Sequence, residues 1–286
     1  MSSAAPSLSP ALQPRPPRIL TFDSGLGGLT VLSEIDRLRP DAHRLYVADD
    51  AVFPYGTLAE ADLEARVTAV LAPLIRDHRP DAVVVACNTA STVVLPPLRA
   101  RWPGVAVVGT VPAVKPAAKG SLSRRIAVLA TPGTVKRDYT RDLVRSFADG
   151  CTVDLVGAPR LAALEEAALR GEAVEDAAVL GEIAPAFVEE GGRRTDTVVL
   201  ACTHYPLLVD VFRRVAPWPV AYLDPAPAIA RRVDAVLLDR GFPGPPAGTP
   251  LRPGTIAFTS GRPAASPLAE VLAGRGLWGA PAAPDA

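Results

Sequence analysis

The chain has 286 residues, enough for two α/β domains of ordinary size. Its 30 basic and 30 acidic residues cancel. The basic ones fall as scattered pairs such as Arg193-Arg194 and Arg231-Arg232, which leaves no electrostatic footprint for nucleic acid or a membrane surface.

Residues 1–17 are rich in Ser, Ala and Pro and lack the basic start and long apolar centre of a secretion signal, so a flexible tail is expected there. Arg18 to Phe22 reads as a first strand, followed by the glycine-rich Asp23-Ser-Gly-Leu-Gly-Gly28 and a helix with Val31, Ile35 and Leu38 on one face. Leu45 to Ala48 reads as a second strand. After a Phe53-Pro-Tyr-Gly56 loop, Thr57-Leu-Ala-Glu60 has the form of a capping box opening a helix that faces inward with Leu63, Val67, Val70, Leu71 and Leu74. A strand ends at Cys87, and Val105 to Gly109 is another. The pattern then restarts with strand Arg125 to Ala130 and the turn Thr131-Pro-Gly-Thr134, where Thr134 is the expected N-cap of the next helix. Thr152 to Val156 follows as a strand. A helical stretch through Val179, Ile183 and Phe187 is expected to stop at Gly191-Gly192. After the strand leading to Cys202, Asp224-Pro225 reads as N-cap plus first-turn proline of a helix with Ile229, Val233 and Val236 inward. Ile256 to Phe258 is the last strand. All the apolar runs are strand-length, too short to span a membrane.

This alternation predicts parallel sheets with helices on both faces. The domains expected are 18–110 plus 224–286, and 111–223. One phrase occurs twice: Asp81-Ala-Val-Val-Val-Ala-Cys-Asn-Thr89 and Asp196-Thr-Val-Val-Leu-Ala-Cys-Thr-His204. Each is a buried-strand pattern ending abruptly on a cysteine. In open parallel sheets ligands bind beyond the carboxyl ends of the strands. Asp23, Ser24, Cys87, Asn88, Thr131, Cys202 and Thr203 all fall at such ends.

The glycine-rich turn is neither the G-x-G-x-x-G dinucleotide fingerprint nor a Walker loop. Its backbone N–H groups at a helix start suit a small anion such as a carboxylate, and a purely structural tight turn accounts for the glycines equally well. A lone free cysteine is usually an inert buried thiol; two, placed alike and each followed by polar residues, point to one site flanked from both sides. His204 beside Cys202 also permits a Cys/His nucleophile pair. Cys151 has no polar company and reads as structural. Three cysteines without a C-x-x-C pair argue against a disulfide framework or zinc site, so no metal is expected, and free thiols fit a reducing cytosol.

With these residues in hand, the chain resembles the cofactor-independent glutamate racemases of the aspartate/glutamate racemase superfamily. The resemblance rests on Phe22-Asp-Ser-Gly-Leu-Gly-Gly28, Pro54-Tyr-Gly56, Ala86-Cys-Asn-Thr-Ala-Ser91, Ala130-Thr-Pro-Gly-Thr134 and Ala201-Cys-Thr-His-Tyr-Pro206, and covers roughly residues 18–261. It implies two pseudo-symmetric doubly wound α/β domains with mostly parallel sheets and the active site in the cleft between them. It implies that Cys87 and Cys202 are two bases exchanging the Cα proton of glutamate, Cys87 serving the D and Cys202 the L enantiomer. Asp23 would assist Cys87 and His204 would assist Cys202, while Asp23, Ser24, Tyr55, Gly56, Asn88, Thr89, Thr203 and His204 would hold the substrate. It implies no cofactor; of the three lysines, Lys115, Lys119 and Lys136, none lies in a site motif that would suggest pyridoxal phosphate. A cytoplasmic enzyme supplying D-glutamate for peptidoglycan is implied as well, and many members of the family are homodimers. Where the family carries a Cys-Pro-like segment and then a carboxylate, this chain has Ala158-Pro159-Arg160 leading to Glu165-Glu166; Glu166 is the closer match, and neither is assigned to the site.

Two rivals stand beside this reading. Aspartate and hydantoin racemases share the two-thiol plan, and one methylene separates glutamate from aspartate, worth only about 1–3 kcal/mol. A degenerate amino-acid sensor on the same scaffold would bind without exchanging the α-proton.

Overall fold

A computed structural model describes residues 15–279. Most of the expected tail, residues 1–14, lies outside the described residues. Arg15 pairs with Asp81 through two hydrogen bonds of 2.7 and 2.8 Å.

The strands in chain order are β1 (Arg18–Asp23), β2 (His43–Ala48), β3 (Ala82–Val85), β4 (Ala106–Gly109), β5 (Arg125–Ala130), β6 (Thr152–Gly157), β7 (Glu189–Glu190), β8 (Arg193–Arg194), β9 (Thr197–Ala201), β10 (Ala221–Leu223), β11 (Gly254–Phe258) and β12 (Leu277–Gly279). Six form one sheet in the order β12-β11-β2-β1-β3-β4, and four form a second in the order β10-β9-β5-β6. Every pairing in both sheets is parallel. Four strands of each series are therefore arranged alike: β2-β1-β3-β4 is repeated as β6-β5-β9-β10, with the β7-β8 hairpin standing apart.

The sequence shows why these sheets are parallel and buried. In β1, Leu20 and Phe22 face a core made with Leu63, Val67 and Leu71 of the helix Glu60–His78. Ile19, on the other face, packs with Val31 and Ile35 of the helix Leu29–Leu38 and with Ile229 and Val233 of the helix Ala226–Asp239. A strand covered on both faces must be apolar at successive positions, which is the pattern the repeated phrase carries. The second sheet is covered likewise, with Leu129 and Leu200 on one face and Val128 and Val199 on the other.

The aspartate that opens each copy of the phrase has a matching job. Asp81 accepts the backbone N–H of Arg18 at 2.8 Å, and Asp196 accepts those of Leu122 and Ser123 at 2.8 and 2.7 Å. Each ties the chain entering the first strand of its series to the strand that ends in a cysteine.

Five local expectations give way to tertiary context. Thr57 does not cap the helix Glu60–His78, which starts after Ala59 without a side-chain cap; Thr57 instead closes a short 3₁₀ turn that buries Tyr55. Thr131, not Thr134, is the N-cap, accepting Thr134 N–H at 3.3 Å, because Pro132 takes the first helical position where no N–H is needed. Gly191 and Gly192, at φ 59° and 72°, turn the β7–β8 hairpin instead of ending a helix. The helix expected to contain Phe187 ends at Ile183, and Phe187 packs edge-on against Trp218. At Asp224 the boundary falls one residue later than expected, although its carboxylate does accept Ala226 N–H at 2.8 Å.

Candidate active site

In each sheet the strand order reverses beside the first strand of the series, between β1 and β3 and again between β5 and β9. Such reversals open a crevice at the carboxyl ends. Asp23 and Cys87 follow the strands of the first reversal, Thr131 and Cys202 those of the second, and the two ends meet where Asn88 donates to Ala201 O and Thr203 to Asp23.

Cys87 is the N-cap of the helix Asn88–Arg101, its sulfur accepting Ala90 N–H at 3.5 Å while its thiol donates to Ser24 Oγ, also at 3.5 Å. Burial, reinforced by the nearby Asp23 carboxylate, pushes this thiol up to about 12. The charge of Cys202 also raises it, so the two sulfurs are within electrostatic reach of each other. Asp23 is fully buried; its Oδ1 accepts Gly25 N–H at 3.0 Å and its Oδ2 accepts the Thr203 hydroxyl at 3.0 Å. Burial raises its carboxyl to about 6, with the charge of His204 working the other way.

Cys202 has a different environment. His204 Nδ1 lies 3.7 Å from its sulfur, and His204 Nε2 lies 3.1 Å from Glu166 Oε1. Burial works against a charged imidazole here, yet the contacts to Cys202 and Glu166 hold its pKa well above the ordinary value. Glu166 is anchored in turn by Leu26 N–H at 2.6 Å and Arg170 at 3.1 Å. Burial opposes its ionisation, but His204 keeps its carboxyl below the usual range.

The glycine-rich turn now has a physical explanation, and it is close approach. A Cβ on Gly27 would lie 2.4 Å from His204 Nδ1, and one on Gly25 would lie 2.3 Å from Glu166 Oε1. The loop does receive a carboxylate at Leu26 N–H, but that carboxylate belongs to Glu166 of the chain itself.

The remaining expected residues fall around the same crevices. Asn88 Nδ2 donates to Ala201 O across the two halves, and its Oδ1 is buried with no partner among the described residues. Thr89 joins Thr131 and Thr134 in a ring of hydroxyls 3.0–3.1 Å apart. Tyr55 is buried with its hydroxyl donating to Asp49, which Arg66 and Thr259 hold from other sides. Gly56 lies against the Thr131 turn so closely that a Cβ on Gly133 would meet Gly56 O at 2.6 Å. Phe53, which carried no expectation of its own, lies with its ring centroid 5.4 Å from that of His204.

The sequence pattern alone does not place Glu165 and Glu166 in the site. Their signal was present, as two adjacent carboxylates following β6, but only the packing of their helix brings them to a histidine 38 residues away. One donor atom each from Glu165, Glu166 and His204 falls within 4.8 Å of the others, a spacing compatible with a shared cation or a shared proton. Glu166 Oε1 is already committed to Leu26 N–H.

A model of the Asp/Glu/hydantoin racemase family matches residues 30–233, which include both cysteines and Glu165 to Glu166. The chain belongs to the Asp/Glu/hydantoin racemase family. Within this family it is 57% identical to the glutamate racemase of Sinorhizobium fredii, over 86% of this chain and 90% of that one. It is 57% identical to the glutamate racemase of Brucella ovis over 80% of this chain and 82% of that one. The solved structure of Escherichia coli glutamate racemase, in complex with L-glutamate and the activator UDP-MurNAc-Ala, superposes with a TM-score of 0.82 at 38% identity, covering 94% of this chain and 99% of that one. The two-domain, mostly parallel α/β architecture is thus that of a racemase. Among the described residues no helix is long and apolar enough to cross a membrane.

Proposed function

We propose that this racemase interconverts L-glutamate and D-glutamate without a cofactor, with Cys87 and Cys202 taking and returning the Cα proton from opposite faces. The observation that carries the two-base reading is the pair of buried free thiols at corresponding strand ends of two like-ordered sheets. The glutamate racemases it resembles across nearly its whole length support the choice of substrate.

The chemistry follows from what each side chain offers. A thiol has an ordinary pKa of about 8.5, so it can act as acid or base near neutrality after modest tuning. In each productive complex one sulfur is thiolate and the other thiol, and the roles exchange with the hand of the substrate. His204, favouring the imidazolium form, stabilises a thiolate at Cys202. Cys87, raised by burial and by Asp23, favours the thiol; the substrate ammonium supplies the positive charge that lets it ionise. Ser24, Asn88, Thr89 and Thr203 line the crevice with donors for the carboxylates, where developing negative charge on the substrate gains most from fixed dipoles. The unpartnered Asn88 Oδ1 is a buried acceptor whose missing bond a polar ligand would complete. Tyr55 and Gly56 shape the wall between the halves.

The proposal extends to a cytoplasmic enzyme supplying D-glutamate for peptidoglycan and to a homodimer, the latter checked by sedimentation. The decisive experiment incubates each glutamate enantiomer with the protein in heavy water. Both gain deuterium at Cα with racemisation, and full activity in either Cys87→Ala or Cys202→Ala sinks the two-base reading. Parallel assays on aspartate and hydantoins test the substrate, and binding without α-proton exchange would favour a sensor.

A further inference from the structure

Beside the Cys87 helix lies a buried cation that the two-base cycle leaves without a part. Arg137 stands in extended backbone between the short helix of the Thr131 turn, Pro132–Lys136, and the helix Asp138–Phe147. Its side chain is only 7% exposed. Its Nη1 reaches across to the first half of the molecule, donating to Thr89 O at 2.5 Å and to Thr92 Oγ1. Both acceptors belong to the start of the helix Asn88–Arg101, whose N-cap is Cys87. Thr92 Oγ1 donates to the same Thr89 O at 2.8 Å. The segment that carries Arg137 is fixed in turn, with Thr140 Oγ1 donating to Thr134 O at 2.7 Å. The arginine thus grips the turn that supplies one base and, in Asn88 and Thr89, two expected substrate ligands.

Two hydrogen bonds to neutral acceptors do not explain a buried charge, because a neutral donor would make them at a lower desolvation cost. The nearest carboxylate, Glu60, comes within 3.5 Å of Arg137 Nε but is 67% exposed, so solvent screens much of that attraction. Burial opposes the guanidinium charge, and Glu60 and an ionised Cys87 favour it. That attraction is mutual: a thiolate that favours the cation is favoured by it. Cys87 has need of such a partner, since Asp23 and Cys202 act on it with negative charge and Tyr46 and Tyr55 are also within its reach. We propose that Arg137 is a positioning residue for the Cys87 base, fixing the first turn of its helix against the second half and keeping a permanent positive charge within reach of the sulfur. The proposal rests on the two-base reading above. The substrate ammonium leaves with each product, whereas a guanidinium keeps its proton and stays. Arg137 acts through the helix turn and its field, without touching substrate.

The test compares Arg137→Met, which removes the charge and both bonds, with Arg137→Lys, which keeps the charge and loses the fixed fork. Alkylation by iodoacetamide is followed across pH at each cysteine, by peptide mass, in the protein without substrate. The midpoint of the pH curve reports thiol ionisation and its plateau reports access, so a merely loosened structure raises the plateau and leaves the midpoint in place. Arg137→Met is expected to raise the Cys87 midpoint by at least about half a pH unit, a fraction of what an adjacent opposite charge supplies, and to leave that of Cys202 within about 0.2 unit. Arg137→Lys should hold the Cys87 midpoint near that of the parent. In racemisation, Arg137→Met should lower kcat at least about tenfold, with Arg137→Lys restoring part of the loss. A Cys87 midpoint that stays in place, one that moves equally with that of Cys202, or an unchanged kcat overturns the proposal. Should Arg137→Met fail to fold or Cys87 resist the reagent, Arg137→Gln against Arg137→Lys decides. The glutamine, a donor without charge, should turn over at least about threefold more slowly than the lysine, the ratio that half a pH unit represents, and equal rates overturn the proposal. A parent enzyme that does not racemise glutamate would instead sink the function itself, leaving the two midpoints to judge Arg137.

Discussion

The two cysteines occupy corresponding positions in two like-ordered sheets, yet their surroundings have little in common. Cys87 caps a helix and shares its thiol with a serine beside a buried aspartate. Cys202 faces an imidazole that is itself held by a glutamate. Around Cys87 burial and the Asp23 carboxylate favour the thiol, whereas Cys202 has an imidazole beside it and no carboxylate in direct contact. A duplicated scaffold supplied the symmetric placement of the sulfurs. The loops at the strand ends, free to vary without disturbing either sheet, supplied the difference.

The comparison breaks most completely when either sulfur is removed. Cys87→Ala and Cys202→Ala should each lower racemisation by roughly 10²–10⁴-fold or more, measured by loss of optical rotation from either enantiomer. Removing the assistant of one half only is the sharper test. His204→Asn should cost about 10²-fold in kcat and erase the imidazolium ionisation from the alkaline limb of the pH–rate profile; an unchanged limb would assign that ionisation elsewhere.

Crowding the glycine loop should have a smaller effect, on stability as well as rate. The Cβ of Gly27→Ala would meet His204 at 2.4 Å, with backbone also close, so a loss of about 1–3 kcal/mol in chemical denaturation is expected. The same substitution at Gly104, where a Cβ meets nothing within 4 Å, should be nearly neutral and serves as the control.

The least conspicuous effect is on the pH dependence of folding. Asp23 and Glu165 have folded pKa values raised by burial, to about 6 and about 8. A raised carboxyl binds its proton more tightly in the folded protein, so its contribution is fully present below the unfolded value, near pH 4. It is lost as pH rises through about 6 for Asp23 and about 8 for Glu165. Asp23→Asn should flatten stability between about pH 4 and 6 and Glu165→Gln up to about pH 8, read from denaturation midpoints across pH.

Much of the fold was legible in the chain because it depends on local pattern. β5 begins and ends where the apolar run Arg125 to Ala130 does, and the repeated phrase marked both cysteine-bearing strands. Local capping signals were less dependable. Thr57 had the right spacing for a cap, but the turn that buries Tyr55 placed it elsewhere, since burying an aromatic ring outweighs one exposed hydroxyl bond.

By itself, then, the sequence determined that two series of parallel strands would each present a cysteine at a carboxyl end. Burial on both faces of a strand leaves a mark at every position, and a strand end is where that mark stops. Only the tertiary structure decided which groups each sulfur would meet. Asp23 and Thr203 lie 180 residues apart, and Leu26 and Glu166 lie 140 apart. Their contacts depend on how two sheets and their loops pack, which no local periodicity records. The same holds for the glycines of residues 25–28: composition allowed a turn or an anion site, and the close approach of His204 and Glu166 made the absence of side chains a steric necessity.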